Sequence, residues 1–275
     1  MIAKRSKISR ALLYLLLLSM IIFYMYPLYF AVTTSLKTNA DSLSYPPKFI
    51  FKPTLDSYYR AFNDYNLWPA LKNSIIICFS NMFLSVLIGV PAAFSLSRAK
   101  FSGKQVISFW ILTSRMVPPI VMVIPFFVIS RSAGIFDTHV LLILVYLTIN
   151  LAFVVWMMRS FFDDIPRSLD EAALIDGCSP FSAFLRVILP LTAPGLVSTA
   201  ILCLMFTWNE FMFALSLSEY RAATLPIVFS SFIGYSGANW AEMSATAVTT
   251  MVPILIAASL VQKHIVKGLT GGAIK

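Results

Sequence analysis

Long apolar runs separated by short polar connections organise the chain, and six of them are long enough to cross a bilayer. The predicted spans are Ala11–Thr34, Leu71–Leu96, Val106–Ser130, Val140–Phe161, Gly195–Leu217 and Ala241–Val261. The first follows the basic segment KRSKISR, as the apolar part of a secretory leader would. Its charge-free run from Ala11 to Leu36 is longer than a leader's, and no small-x-small cleavage site follows, so an uncleaved anchor is expected. The third span carries Pro118, Pro119 and Pro125, the second Gly89 and Pro91, and the sixth Pro253. Such residues predict broken or kinked helices, which either line a pathway or only fit neighbouring helices together.

One stretch departs from this pattern: EAALIDGCSPFSAFLRVILP, from Glu171 to Pro190, between the fourth and fifth runs. Ser168 and Glu171 have the spacing of a capping box, and Asp170 and Glu171 suit the positive end of a helix dipole. Leu169, Ala172 and Ala173 fall on one narrow face of small side chains, and Gly177 is placed to end that helix in a left-handed conformation. Ser179 and Pro180 then supply the cap and first residue of a second helix, whose apolar stripe is Phe181, Phe184, Leu185 and Ile188; Pro190 is expected to end it. Two short helices joined by a glycine turn make a docking surface, either for the protein's own spans or for another protein.

Composition supports a membrane class. The chain has 275 residues, 59% of them hydrophobic and 12% charged, with mean hydropathy +0.81, too little charge to coat a soluble domain. The net charge of +9 is scattered through the connections rather than gathered into a nucleic-acid patch. Thirteen of the 21 basic residues lie in the N-terminus, the Ser97–Gln105 loop, the Arg159–Pro194 segment and the C-terminal tail, against seven on the opposite side. The positive-inside rule therefore predicts cytoplasmic termini and a cytoplasmic Glu171–Pro190 stretch. Cys78, Cys178 and Cys203 are too few and too scattered for a disulfide framework, and neither His139 nor His264 has metal-ligand spacing. No nucleophile stands beside a base, and SGKQ at Ser102–Gln105 lacks the remaining residues of a phosphate loop, so no catalytic role is read.

Arg115 inside the third span and Glu210 inside the fifth are costly at bilayer depth and call for partners. Thr199, Cys203, Thr207 and Glu210 recur at helical spacing, which turns Glu210 toward protein or water. Arg115 and Glu210 are expected to interact directly or through water, and with Asn209 are the candidates for a translocation path. The alternative is that each satisfies local groups and only holds helices together. A secondary transporter driven through these two charges is the rival functional reading, although no second copy of any span pair is visible.

The stretch Glu171-Ala172-Ala173, three residues, Gly177, nine residues, then Val187, Leu189 and Pro190 resembles the EAA signature of permease subunits in binding-protein-dependent ABC importers. Val187 stands where isoleucine is usual. RMVPP at Arg115–Pro119, FTWNEFMFAL at Phe206–Leu215 and VKGLTGGAIK at Val266–Lys275 resemble the carbohydrate branch, and its maltose-type second permease in particular. The resemblance implies an all-α type I importer permease fold with six transmembrane helices, one domain over residues 1–275 with a cytoplasmic coupling loop at about 162–194. It implies a bacterial inner-membrane location, a second permease, two cytoplasmic ATPases and an external sugar-binding protein. ATP and magnesium would be bound on the ATPases, with no cofactor in this chain. Glu171, Ala172, Ala173, Asp176, Gly177, Leu189 and Pro190 would form the ATPase-coupling surface, with Glu171 meeting a basic residue there. The same resemblance brings the C-terminal tail to the ATPase and the Ser218–Trp240 loop to the sugar-binding protein.

Overall fold

The computed structural model describes the backbone of residues 7–234 and 237–270, with side chains over 11–232 and 239–259. In chain order its helices are α1 (Lys7–Ser35), α2 (Asn39–Ser42), α3 (Asp56–Asn63), α4 (Leu67–Arg98), α5 (Lys104–Ser114), α6 (Pro119–Ser132), α7 (His139–Asp163), α8 (Ser168–Ile175), α9 (Pro180–Ala183), α10 (Leu189–Leu191), α11 (Ala193–Trp208), α12 (Met212–Leu217), α13 (Leu225–Ser231) and α14 (Trp240–Thr270). Among the described residues the sheet content is one antiparallel pair of two-residue strands, Ile233–Gly234 with Gly237–Ala238. The chain divides into two compact units, residues 1–67 with 229–252, and residues 68–228 with 253–275.

In the first unit, α1 exposes large apolar side chains along almost its whole length, Tyr14, Leu15, Phe23 and Tyr24 among them. The connection after α1 folds through polar contacts. The Ser57 hydroxyl donates to the Lys37 carbonyl at 3.2 Å, and the Lys37 ammonium lies over the Phe51 ring at 5.1 Å. Glu242, expected inside the sixth span, sits buried in the first turn of α14. Its Oε1 is 2.8 Å from Arg60 Nε of α3 and accepts from Asn39 Nδ2 of α2 at 2.9 Å. A buried carboxylate needs such a cation; the pair joins α3 to α14, and the Asn39 bond adds α2.

In the second unit, α4, α7 and α11 share a core of Val90, Phe153, Val154, Met158, Phe162 and Cys203, which Ile188 joins from the segment between α9 and α10. Glycine permits two close approaches. A Cβ at Gly195 of α11 would lie 2.5 Å from the Phe161 ring, and one at Gly89 of α4 would lie 2.7 Å from Val154 Cγ1. The packing also encloses polar groups. Asn150 Nδ2 donates to Asn81 Oδ1 and to Thr207 Oγ1, both at 2.7 Å, while Asn81 Nδ2 donates to the Ile143 carbonyl at 3.0 Å. These side chains bridge α4, α7 and α11 where water cannot reach them, the polar glue expected between membrane helices.

Four described helices are long and apolar enough to cross a membrane whole, or up to six if each of two bent pairs counts as one span. α5 and α6 form one such pair, with an 88° bend. Pro118 forces Val117 out of helical conformation and Pro119 starts the next helix without an N–H to satisfy. The fifth span departs from expectation at both ends. It enters through a 79° bend between the segment Pro180–Leu191 and α11, and α11 ends at Trp208 rather than continuing to Leu217. The Glu210 carboxylate accepts from the backbone N–H groups of Phe213 and Ala214 at 3.1–3.3 Å, so it caps α12 and competes with a continuous helical ladder.

Candidate functional site

The α8–α9 segment forms as two helices around a glycine turn. The Cys178 N–H donates to the Ala173 carbonyl at 3.0 Å and the Gly177 N–H to the Leu174 carbonyl at 3.1 Å, with Gly177 at φ +86°. This is a Schellman ending, and only glycine adopts its left-handed residue without cost. Ser179 caps α9 by accepting from the Ser182 N–H at 3.2 Å, and Pro180 occupies the first turn.

Three expectations here are corrected. The capping box does not form. The backbone is already helical at Arg167, and the Leu169 N–H reaches the Pro166 carbonyl at 3.2 Å, because Pro166 starts the first turn two residues before Ser168. Pro190 does not end the second helix. A π-turn over Phe184–Ile188, in which the Leu189 N–H reaches back to Phe184, precedes the proline, and α10 carries the chain through it. The small face also divides, for Ala173 is buried while Leu169 and Ala172 stay exposed.

The outer surface is apolar at Leu174, Ile175 (86% exposed), Phe181 (68%) and Leu185, whereas Phe184 and Ile188 of the same stripe are buried. Asp176 and Pro190 are exposed and Leu189 is half-buried. Glu171 is exposed and forms no ion pair among the described residues; it lines a groove of about 240 Å³ with Phe94, Arg98, Arg167, Asp170 and Leu174. Asp170 faces inward, its Oδ2 2.8 Å from Arg98 Nε.

The second set of candidates is not drawn together. Arg115 and Glu210 make no ion pair among the described residues. The Arg115 guanidinium instead stacks over the Phe153 and Phe206 rings, at 4.6 and 4.8 Å from their centroids, a cation–π arrangement. Glu210 is held by the start of α12, and Asn209 is exposed, its Nδ2 donating to the Met205 carbonyl at 2.8 Å. Local satisfaction is therefore what the structure shows. The Asn81–Asn150–Thr207 cluster escaped the sequence reading except for Thr207, although isolated asparagines in the second and fourth runs were its signal.

Beyond α6 lies a tightly organised connection. The Asp137 carboxylate accepts from four consecutive backbone N–H groups, those of Glu219, Tyr220, Arg221 and Ala222, at 2.9–3.2 Å. Burial pushes the Asp137 pKa up, but these four donors outweigh it and hold the carboxyl below the usual carboxylate range. Asn73 Nδ2 donates to the Arg221 and Ala223 carbonyls and its Oδ1 meets His139 Nε2 at 2.8 Å, so the segment that opens the Ser218–Trp240 loop is fixed.

Residues 85–271 match the model of the binding-protein-dependent transport system inner membrane component. The chain belongs to this family. As a permease of that family it is a multi-pass membrane component of a transport system that works with a binding protein. It is 37% identical over 272 residues to a trehalose/maltose transport system permease protein of Thermococcus litoralis, covering 98% of each chain. It is 39% identical over 225 residues to a trehalose transport system permease protein of Mycobacterium tuberculosis, covering 81% of this chain and 82% of that one. Among solved structures, a chain of a bacterial ABC transporter involved in alginate import superposes with a TM-score of 0.78 at 22% identity, over 95% of this permease and 99% of that chain. That likeness shows the ABC importer permease fold.

Proposed function

We propose that this permease carries a sugar, that both termini and the α8–α9 segment face the cytoplasm, and that two ATPases dock on that segment. A second permease completes the path and an external binding protein delivers the cargo. The observation that carries the docking reading is the exposure of Ile175 and Phe181 on either side of the Gly177 turn, outside the apolar spans. Apolar side chains grouped this way on a polar-flanked surface mark a protein interface. The basic asymmetry of the connections supports the orientation, and the names of the relatives support the cargo class. Glu171, Ala172, Asp176 and Pro190 lie on the same exposed segment, with Ala173 and Leu189 packed behind it. On this reading ATP binding moves the docked helices, and the permease pair rocks between inward and outward access. Arg115, Asn209 and Glu210 remain the path candidates of this chain, Asn209 as the most exposed of them.

Two measurements test this. Cells with and without the permease are assayed for uptake of labelled trehalose, maltose and a polyol; loss of at least one uptake on deletion is expected, and unchanged uptake of all three overturns the cargo. Gly177→Asp should abolish copurification of the ATPases while the permease still inserts. A Cβ at Gly177 would meet nothing within 4 Å, so the cost inside this chain is confined to the positive φ. Gly177→Asn, which tolerates that conformation without adding charge, should retain most of the association. Full association in the Asp variant refutes docking at this turn.

A further inference from the structure

The covalent link from α7 to α8 is four residues, Asp164–Arg167, whose backbone bonds belong to the last turn of α7 or the first turn of α8 and none of which joins the two helices to each other. The end of α4 is fastened to its surroundings far more densely. Arg98 Nε lies 2.8 Å from Asp170 Oδ2 of α8, with both side chains largely buried, and the same guanidinium donates through an Nη to the Ile165 carbonyl at 3.1 Å. The neighbouring Ser97 donates from its hydroxyl to Asp163 Oδ1 at the end of α7 at 2.5 Å. The Ser97 carbonyl, left without a helical partner at the C-terminus of α4, accepts from Arg167 at 3.3 Å and Lys104 at 3.0 Å.

These contacts differ in kind from the apolar seam beneath them. The Phe94 and Phe184 rings, 4.7 Å apart, meet through non-directional apolar contact. A guanidinium that pairs with a carboxylate on one element while donating a hydrogen bond to a carbonyl on the connection beside it ties both to the end of α4 at once. Lysine, with one charged point on a flexible stem, cannot hold both.

We propose that the Arg98–Asp170 pair is the rigid joint through which a displacement of α8 is delivered to α4, with Arg98 as a positioning residue. The coupling half of this rests on the reading that ATPases act on the α8–α9 segment. The joint itself does not, and the two fail separately under test.

The full-length permease in nanodiscs is spin-labelled at the native Cys178 and at Lys100→Cys, with Cys78 and Cys203 replaced, and the label–label distance distribution is measured by pulsed electron paramagnetic resonance. A single narrow distribution is expected in the parent. Arg98→Met and Asp170→Asn should each broaden it, Arg98→Lys should broaden it partly, and the exchange Arg98→Asp with Asp170→Arg, which re-forms the ion pair but not the bond to the Ile165 carbonyl, should narrow it partly relative to Arg98→Met. Parent-like width in the Met and Asn variants overturns the joint. In the assembled transporter, supplied with the sugar that the uptake assay identifies, ATP hydrolysed per sugar imported should rise about fivefold or more in Arg98→Met, with the ATPases still bound. An unchanged ratio alongside a broadened distribution overturns the coupling role, as does loss of ATPase binding, which would make Arg98 part of the docking surface. A parent transporter that imports no sugar overturns the functional reading and the coupling role with it, while the distance distribution still decides whether the joint exists. Should Arg98→Met fail to assemble, Asp170→Asn removes the same pair from the other side and both readouts apply to it.

Discussion

Asp137→Asn removes a single charge while keeping the shape of the side chain and a residue type that tolerates the positive φ of 56° at this position. In the parent, Oδ1 accepts from Glu219 and Ala222, and Oδ2 from Tyr220 and Arg221. The amide can keep one oxygen in place, so two of the four bonds are lost and an NH2 group is set against two N–H donors. Hydrogen bonds to a charged acceptor contribute about 1.5–3 kcal/mol each when sheltered, and the exposed position reduces that to about 1 kcal/mol apiece. The local opening free energy of residues 219–222 should therefore fall by about 2 kcal/mol, which is about thirtyfold in the opening equilibrium. Hydrogen exchange of the purified permease reads the four amides directly. The pair that loses its acceptor should exchange about thirtyfold faster, while amides in α7 stay at parent rates. Exchange within about twofold of the parent at all four would refute the capping argument. The pH dependence has a definite sign. Because the folded-state pKa lies below the ordinary 3.8, the contribution is fully present above that value and is lost as pH falls through the lowered one.

Gly195→Ala should destabilise the permease despite alanine's better helix propensity. Alanine gains about 1 kcal/mol over glycine in a helix, but a Cβ 2.5 Å from an aromatic ring forces overpacking that costs about 1–3 kcal/mol, so a lower thermal midpoint in detergent is expected and an unchanged or higher one contradicts it. Asn150→Leu should also lower the midpoint, since it strips a donor from both Asn81 and Thr207; a gain would show that the buried amides are not bonded as described. Arg115→Met and Glu210→Gln should reduce transport or assembly independently, because each residue is satisfied by its own neighbours. Losses in the double variant well below the sum would restore the direct interaction expected from the sequence.

The apolar runs and the glycine turn were legible because each rests on local chemistry. Ser179-Pro180 specifies a helix start and Gly177 a helix end whatever surrounds them. Two of the failures share a physical origin, competition between local signals. Ser168 reads as a cap, but Pro166, two residues earlier, starts the turn first. Glu210 falls on a polar stripe only if the helix continues, and the Glu210 side chain is itself what interrupts it. Pro190 reads as a stop because a π-turn has no sequence signature comparable to proline's. The Arg98–Asp170 pair joins residues 72 positions apart, and no periodicity within one helix can reveal it.

Gly177 combines a left-handed backbone with open space on the side where a Cβ would stand. The requirement at this position is therefore one of handedness and not of size. A mirror-image alanine introduced there by chemical ligation would favour the native turn over its alternatives, since a D-residue prefers positive φ as strongly as an L-residue avoids it. The turn would then be stiffer than the natural one, with a methyl group added to the surface and no change of charge. Comparing that permease with the glycine parent would separate two properties that ordinary mutagenesis changes together, the shape of the helix pair and its freedom to flex.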